Sequence, residues 1–179
     1  MSKYIIKTRI TNITADSRKV EAGSLFLAYP GEKSDGRDYI EDAIKNGTSA
    51  VLWESEGFEW KPEWEVENIP IKKWRYQMGV IASQFYKNPS HELWMIGVTG
   101  TNGKTSITQW LSECFNHLHR KTAAIGTLGN GLPKQLSPAM NTTPDAVLLH
   151  ELLASYVKEK TEVAAMEVSS HGLNQGRVR

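Results

Sequence analysis

Ten residues, Gly97-Val-Thr-Gly-Thr-Asn-Gly-Lys-Thr-Ser106, have the types and spacing to hold a phosphate tail. They follow an apolar run, Leu93 to Val98, and open an amphipathic stretch from Lys104 to about His119, so they read as a strand-to-helix turn. Glycines let the backbone turn its N–H groups toward an anion, and the helix N-terminus adds partial positive charge. Lys104 can reach the β- and γ-phosphates of a nucleotide, and the Thr105 hydroxyl can ligate Mg²⁺. The match to the general phosphate-loop pattern is imperfect. That pattern asks for glycine at Val98; Gly97 stands one residue early, and Gly100 and Gly103 are the glycines that fit. The competing reading, a glycine turn with an incidental lysine, needs only one left-handed glycine.

Glu167 ends another apolar run, Val163 to Val168, and Ser169, Ser170, His171 and Gly172 follow. In a parallel sheet, ligands lie beyond the carboxyl ends of the strands. A carboxylate there can share a magnesium ion with Thr105 and the phosphates, because Mg²⁺ takes only one or two protein carboxylates; a solvated acid at a strand end is the alternative. His171 reads as a loop histidine bonded to nearby backbone. Cys114, the only cysteine, excludes an intrachain disulfide and lies in an apolar-periodic stretch, where a small core residue is expected ahead of a reactive nucleophile.

The elements that must position these groups form a β-α-β-α rhythm, which argues for an α/β fold. Strands are expected at Gly23 to Ala28, Ser49 to Trp53, Leu93 to Val98, Thr122 to Ile125 and Val163 to Val168, and helices at Asp38 to Asn46, about Lys73 to Tyr86, Lys104 to about His119 and Pro144 to Lys158. Gly47 is the left-handed stop of the first helix; Thr143 is expected to cap the last, with Pro144 in its first position. Glu54 to Asn68, with Phe58, Trp60 and Trp64 among acids, reads as a surface excursion whose aromatics lie back on the domain rather than as a binding platform. Asn88-Pro89 breaks the helix expected at about Lys73 to Tyr86, dividing the chain into domains 1–88 and 89–179.

At 179 residues and net charge +1, the chain offers no global field for nucleic acid or an anionic membrane, and an anion must be held by a local site. No apolar run approaches the roughly 20 residues that span a bilayer. With no signal-peptide pattern at Met1 to Ile13, a cytoplasmic location is expected.

TGTNGKTS resembles the Mur ligases, whose phosphate loop carries this variant, so the departure at Val98 is the family's own. Asn141-Thr-Thr-Pro-Asp-Ala146 and Met166-Glu-Val-Ser-Ser-His-Gly-Leu-Asn-Gln-Gly-Arg-Val178 resemble the MurE-type enzymes, and TADSRKVEAGSLFLAYPG and SDGRDYIEDAIKNG resemble their uridine-nucleotide-binding domain. The resemblance implies a small uridine-nucleotide-binding α/β domain, then the first part of a phosphate-loop ATPase domain with a mostly parallel sheet. It implies an ATP-dependent ligase of peptidoglycan precursor synthesis that adds meso-diaminopimelate or L-lysine to UDP-N-acetylmuramoyl-L-alanyl-D-glutamate through an acyl phosphate.

By the same resemblance, Gly100, Thr101, Asn102, Gly103, Lys104, Thr105 and Ser106 cradle ATP, with Lys104 and Glu167 catalytic and Thr105 and Glu167 on Mg²⁺. Ser17, Glu32, Lys33 and Ser34 contact the uridine diphosphate end of the acceptor; the turn at 32–34 departs somewhat from common forms of the family. Asn141, Thr142, Thr143, Ser169, Gln175 and Arg177 grip the muramoyl-dipeptide, Arg177 as a bidentate anion clamp. Small molecules are the only partners implied, and the full-length enzyme is expected to be monomeric. The family's carbamylated lysine and amino-acid-selecting domain lie beyond Arg179, so the chain is expected to be an incomplete piece, inactive alone. A MurF-like ligase, a folylpolyglutamate synthetase relative and a non-catalytic nucleotide-binding module are the rival readings.

Overall fold

The computed structural model describes residues 6–31 and 34–178. The chain divides into two compact units, Met1–Gln77 and Met78–Arg179. The division falls inside the helix at 74–85, upstream of the break expected at Asn88.

The first unit holds β1 (Asn12–Thr14), β2 (Ser24–Ala28), α1 (Ile40–Lys45), β3 (Ala50–Glu54), β4 (Glu67–Ile71) and the start of α2 (Trp74–Phe85). Its four strands run in sequence order and all pair in parallel. Every residue of β2 and β3 is buried, as expected of central parallel strands covered on both faces. Strand β4 takes in the end of the Glu54 to Asn68 stretch read as a surface excursion and carries Pro70; proline is tolerated at a sheet edge, which is where β4 lies. The aromatics after β3 fold back as expected: Phe58 and Trp60 pack on Trp53, and Trp64 is buried among them. After α1 the chain turns at Gly47, whose φ of +89° suits glycine.

The second unit contains β5 (Trp94–Val98), α3 (Lys104–His117), β6 (Thr122–Gly126), β7 (Gly129–Leu132), β8 (Gln135–Ser137), α4 (Ala146–Lys158), β9 (Val163–Glu167) and α5 (Ser170–Asn174). Its sheet runs β5-β9-β6-β7-β8. The strands that carry the motifs, β5, β9 and β6, pair in parallel, while the unanticipated hairpin β7–β8 adds antiparallel pairs. Strand β9 sits between β5 and β6, with Val98 opposite Glu167 and Ile125 opposite Met166, so three carboxyl ends finish level. One sheet face packs with α4 into a core of Ile125, Leu149, Leu153, Tyr156, Met166 and their neighbours.

Three expectations fail here. Cys114 is exposed, not a core residue. Helix α3 turns Thr108 and Ser112, each fully buried, toward the sheet, and Asn116 donates to the Thr122 carbonyl at 2.9 Å. Small hydroxyl residues let the helix approach strands lined with alanine, leaving the bulkier apolar stripe outside. Strand β5 is an edge rather than a buried strand, with Trp94 54% exposed. The cap of α4 is Asp145, whose carboxylate accepts from the N–H groups of Val147 and Leu148 at 3.0 Å each; Thr143 and Pro144 precede the helix, and the Thr143 hydroxyl is used elsewhere. Among the described residues, no helix is long and apolar enough to cross a membrane.

Candidate functional site

Beyond the carboxyl ends of β5, β9 and β6 the second unit collects the side chains singled out by spacing. The loop from β5 to α3 holds Gly100 at φ +144° and Gly103, the residue before α3, at φ +80°. A Cβ at either would meet nothing closer than 3.7 Å. Backbone conformation, not space, asks for glycine at both. The first-turn N–H groups of α3 lack intrahelical acceptors, and among the described residues those of Thr101, Asn102 and Gly103 donate to no backbone carbonyl. Lys104 folds over this loop, its Nζ donating to the Gly100 carbonyl at 2.7 Å. Thr101, Asn102 and Ser106 are exposed around it.

Glu167 is 1% exposed, so it is no solvated acid. The Thr105 hydroxyl donates to its Oε2 at 2.9 Å, and the Thr127 N–H to its Oε1 at 2.8 Å. The Thr127 hydroxyl lies 3.3 Å from Oε2 and 3.0 Å from the Thr142 hydroxyl. A Cβ on Gly126 would overlap the Glu167 carboxylate, so glycine is what lets the acid lie beneath the end of β6. Among the described residues, no salt-bridge partner reaches this carboxylate, and no group of three or more His, Cys, Asp or Glu side chains could hold a metal. A buried acid with only neutral donors, beside a threonine hydroxyl and a phosphate-type loop, fits a magnesium ion that takes few protein ligands and keeps waters and phosphate oxygens for the rest.

The 141–143 loop is tied to the same strand. Thr143 is 1% exposed; its hydroxyl donates to the Glu167 carbonyl at 2.9 Å and accepts the Ser169 N–H at 3.0 Å. Ser169 in turn caps α5, accepting from the Gly172 N–H at 3.0 Å. Arg177 donates to the Thr143 carbonyl at 2.8 Å and to Gln175 at 2.6 Å. Gln175 also pairs with His171 at 2.9 Å, on α5 rather than in a loop. The structure therefore brings Thr142, Thr143, Ser169, Gln175 and Arg177 into one network around the end of β9, with exposed Asn141 at its margin. Thr143 has no side-chain polar group left for a ligand. A largely apolar cavity of about 550 Å³, lined by Met95, Leu149, Leu153, Met166 and Leu173, opens on the α4 side of the sheet and reaches Gly97 and Thr99 at the start of the loop; no lysine or acid lines it.

In the first unit, Ser17 begins a short 3-10 helix that Asp16 caps, and is buried. Ser34 is exposed, and its carbonyl accepts from the Gly31 N–H at 2.9 Å. Glu32 and Lys33 lie outside the described residues. Next to Ser34, Arg37 grips Asp35 at 2.6 Å; the hydrogen-bonded guanidinium holds the Asp35 carboxyl below its ordinary pKa.

Gly126 and Thr127 escaped the sequence reading. Their one local signal is position, directly after a predicted strand, and nothing local says that β6 neighbours β9.

Known proteins match the chain in two parts. Residues 9–86 match the family described as Mur ligase family, catalytic domain, and residues 98–179 match the Mur ligase middle domain. A UDP-N-acetylmuramoyl-L-alanyl-D-glutamate--2,6-diaminopimelate ligase from Nitrosomonas europaea is 46% identical over 173 residues, covering 97% of this chain and 33% of that protein. A solved structure of a ligase with the same name superposes with a TM-score of 0.79 at 33% identity, over 98% of this chain and 36% of the other. The MurF ligase of Thermotoga maritima, solved in complex with ADP, shares the fold at a TM-score of 0.60 and 19% identity, over 93% of this chain and 34% of the other. The chain spans about a third of the length of these proteins.

Proposed function

Since this chain belongs to the Mur ligase family, we propose that it supplies the uridine-nucleotide-binding and ATP-binding portions of a ligase that extends UDP-N-acetylmuramoyl-L-alanyl-D-glutamate by one diamino acid. The names of its relatives favour 2,6-diaminopimelate over L-lysine. Residues 1–88 take the uridine nucleotide, with Ser17, Glu32, Lys33 and Ser34 as contacts. Residues 89–179 take ATP. The acceptor is a water-soluble nucleotide-sugar, so the reaction belongs in the cytoplasm.

The observation that carries this reading is the pairing of Thr105 with buried Glu167 beside an open phosphate loop. Gly100 to Ser106 bind the phosphates of ATP, and Lys104 leaves its loop carbonyls to neutralise them. Thr105 and Glu167 would hold Mg²⁺, which would supply charge screening between nucleotide and acceptor. Asn141 and Thr142, with Ser169, Gln175 and Arg177, orient the muramoyl-dipeptide so that its D-glutamate carboxylate faces the terminal phosphorus. That carboxylate attacks, ADP leaves, and the amine of the diamino acid then displaces phosphate to form the amide. Little covalent chemistry falls to the protein; positioning and charge neutralisation supply the rate.

Calorimetry on the 179-residue chain tests this. UDP-N-acetylmuramoyl-L-alanyl-D-glutamate and Mg²⁺ with β,γ-methylene-ATP are both expected to bind. Lys104→Ala should weaken the ATP analogue by about ten- to a hundredfold, the range for a lost charge-assisted hydrogen bond, and leave the nucleotide-sugar unaffected. A chain that binds the ATP analogue and ignores the uridine compound is an ATP-binding module instead.

A further inference from the structure

We propose that Thr127 is a positioning residue whose hydroxyl couples the nucleotide site to the acceptor loop, so that the two ligands bind cooperatively. The proposal rests on the ligase reading above and extends it to a residue outside that reading.

Glu167 is held from both ends by different parts of the chain. Its main-chain carbonyl accepts the Thr143 hydroxyl, which anchors the 141–143 loop. Its carboxylate receives Thr105 from α3 and the Thr127 N–H from the end of β6. Thr127 alone touches both sides: its hydroxyl stands between Oε2 of Glu167 and the hydroxyl of Thr142, at 3.3 and 3.0 Å. The absence of a side chain at Gly126 gives the carboxylate room to reach it.

One hydroxyl has one proton to donate. Given to Glu167, it leaves the Thr127 oxygen free to accept from Thr142. Given to Thr142, it leaves Oε2 with a lone pair for a cation. A Mg²⁺ ion held by Thr105 and Glu167 would draw on a lone pair of Oε2 and so would favour the second arrangement. The Thr127 hydroxyl then chooses between the carboxylate and the loop, and its choice sets the direction in which the Thr142 hydroxyl points toward an acceptor. Both ligands favour the arrangement in which Thr127 donates to Thr142, since it frees Oε2 for the ion and the Thr142 proton for the acceptor; a two-state element that two ligands bias the same way is the physical basis of a positive coupling free energy.

The test is a binding cycle on the 179-residue chain: affinity for Mg²⁺ with β,γ-methylene-ATP, with and without saturating UDP-N-acetylmuramoyl-L-alanyl-D-glutamate. The unsubstituted chain should bind the ATP analogue about fivefold or more tightly when the acceptor is present. Thr127→Val keeps the shape and the N–H but loses the hydroxyl; the ratio should fall to about one. Thr127→Ser should restore it, which a merely structural threonine would not require. If Thr127→Val folds poorly, Thr127→Ala against Thr127→Ser gives the same contrast. Coupling that persists in Thr127→Val, or independent binding by the unsubstituted chain, overturns the proposal and leaves the ligase reading standing. Failure of the unsubstituted chain to bind the acceptor at all overturns both.

Discussion

At the scale of single residues, Glu167 sets the terms of the site. A carboxylate at 1% exposure with only hydroxyl and amide donors is an expensive arrangement, and it makes physical sense when a cation completes it. Glu167→Gln should therefore abolish the magnesium dependence of nucleotide binding. In the absence of metal it should leave unfolding stability unchanged or slightly higher, because an uncompensated buried charge has been replaced by an amide of the same shape. Urea unfolding with and without Mg²⁺ measures both. A metal-free loss of several kcal/mol, as when a buried ion pair is broken, would mark the acid as structural. The residues that matter around it divide by legibility. Lys104, Thr105 and Glu167 could be picked out from spacing and position at strand ends. Thr127 and Gly126 could not, because a threonine after a strand is common and only its neighbour across the sheet gives it a task.

At the scale of elements, the start of α4 separates two roles that the sequence merges. Thr143-Pro144-Asp145 offers two residues able to cap a helix, and proline can follow a cap or precede one. The structure gives the cap to Asp145 and commits Thr143 to β9 and α5. Asp145→Ala should cost about 1 kcal/mol of stability with nucleotide and acceptor affinities intact. Thr143→Ala should cost about 1–3 kcal/mol, since it strips partners from the buried Glu167 carbonyl and Ser169 N–H. It should also weaken acceptor binding, because the loop bearing Asn141 and Thr142 loses its anchor. Denaturant unfolding and calorimetry on the two variants decide this; equal effects on binding would restore the capping account. Helix α3 makes a related point. Its apolar periodicity predicts a buried stripe with Cys114 inside it, yet closeness to alanine-lined strands favours Thr108 and Ser112. Periodicity marks a helix; neighbour size decides which face goes in.

At the scale of the whole molecule, each unit has its own apolar core, and the second unit carries an apolar strip outside it. Trp94 on β5, Ile107 and Trp110 on α3 and Leu118 just beyond its end are 44–70% exposed, and among the described strands β5 pairs only with β9. Unpaired strand edges and contiguous apolar surface promote association. Sedimentation of the 179-residue chain across a concentration series should show reversible self-association, and Trp110→Lys should reduce it without changing the fold or nucleotide affinity. A unsubstituted chain that stays monomeric throughout contradicts this.

Much of the site was determined within short stretches of sequence. Strand, glycine loop and helix are contiguous from Leu93 to His119, and the acid that ends an apolar strand is visible without knowing its neighbours, because hydrophobic periodicity and left-handed glycines act over a few residues. What remained belonged to the order of strands. Inserting β9 between β5 and β6 brings Glu167 against Thr105, 62 residues earlier, and Thr127, 40 residues earlier. That placement also decides which face of α3 is buried, which strand becomes an edge and which oxygen a lone threonine proton can reach. Contacts over such separations are set by the packing of whole elements, and no local pattern of residue types specifies them.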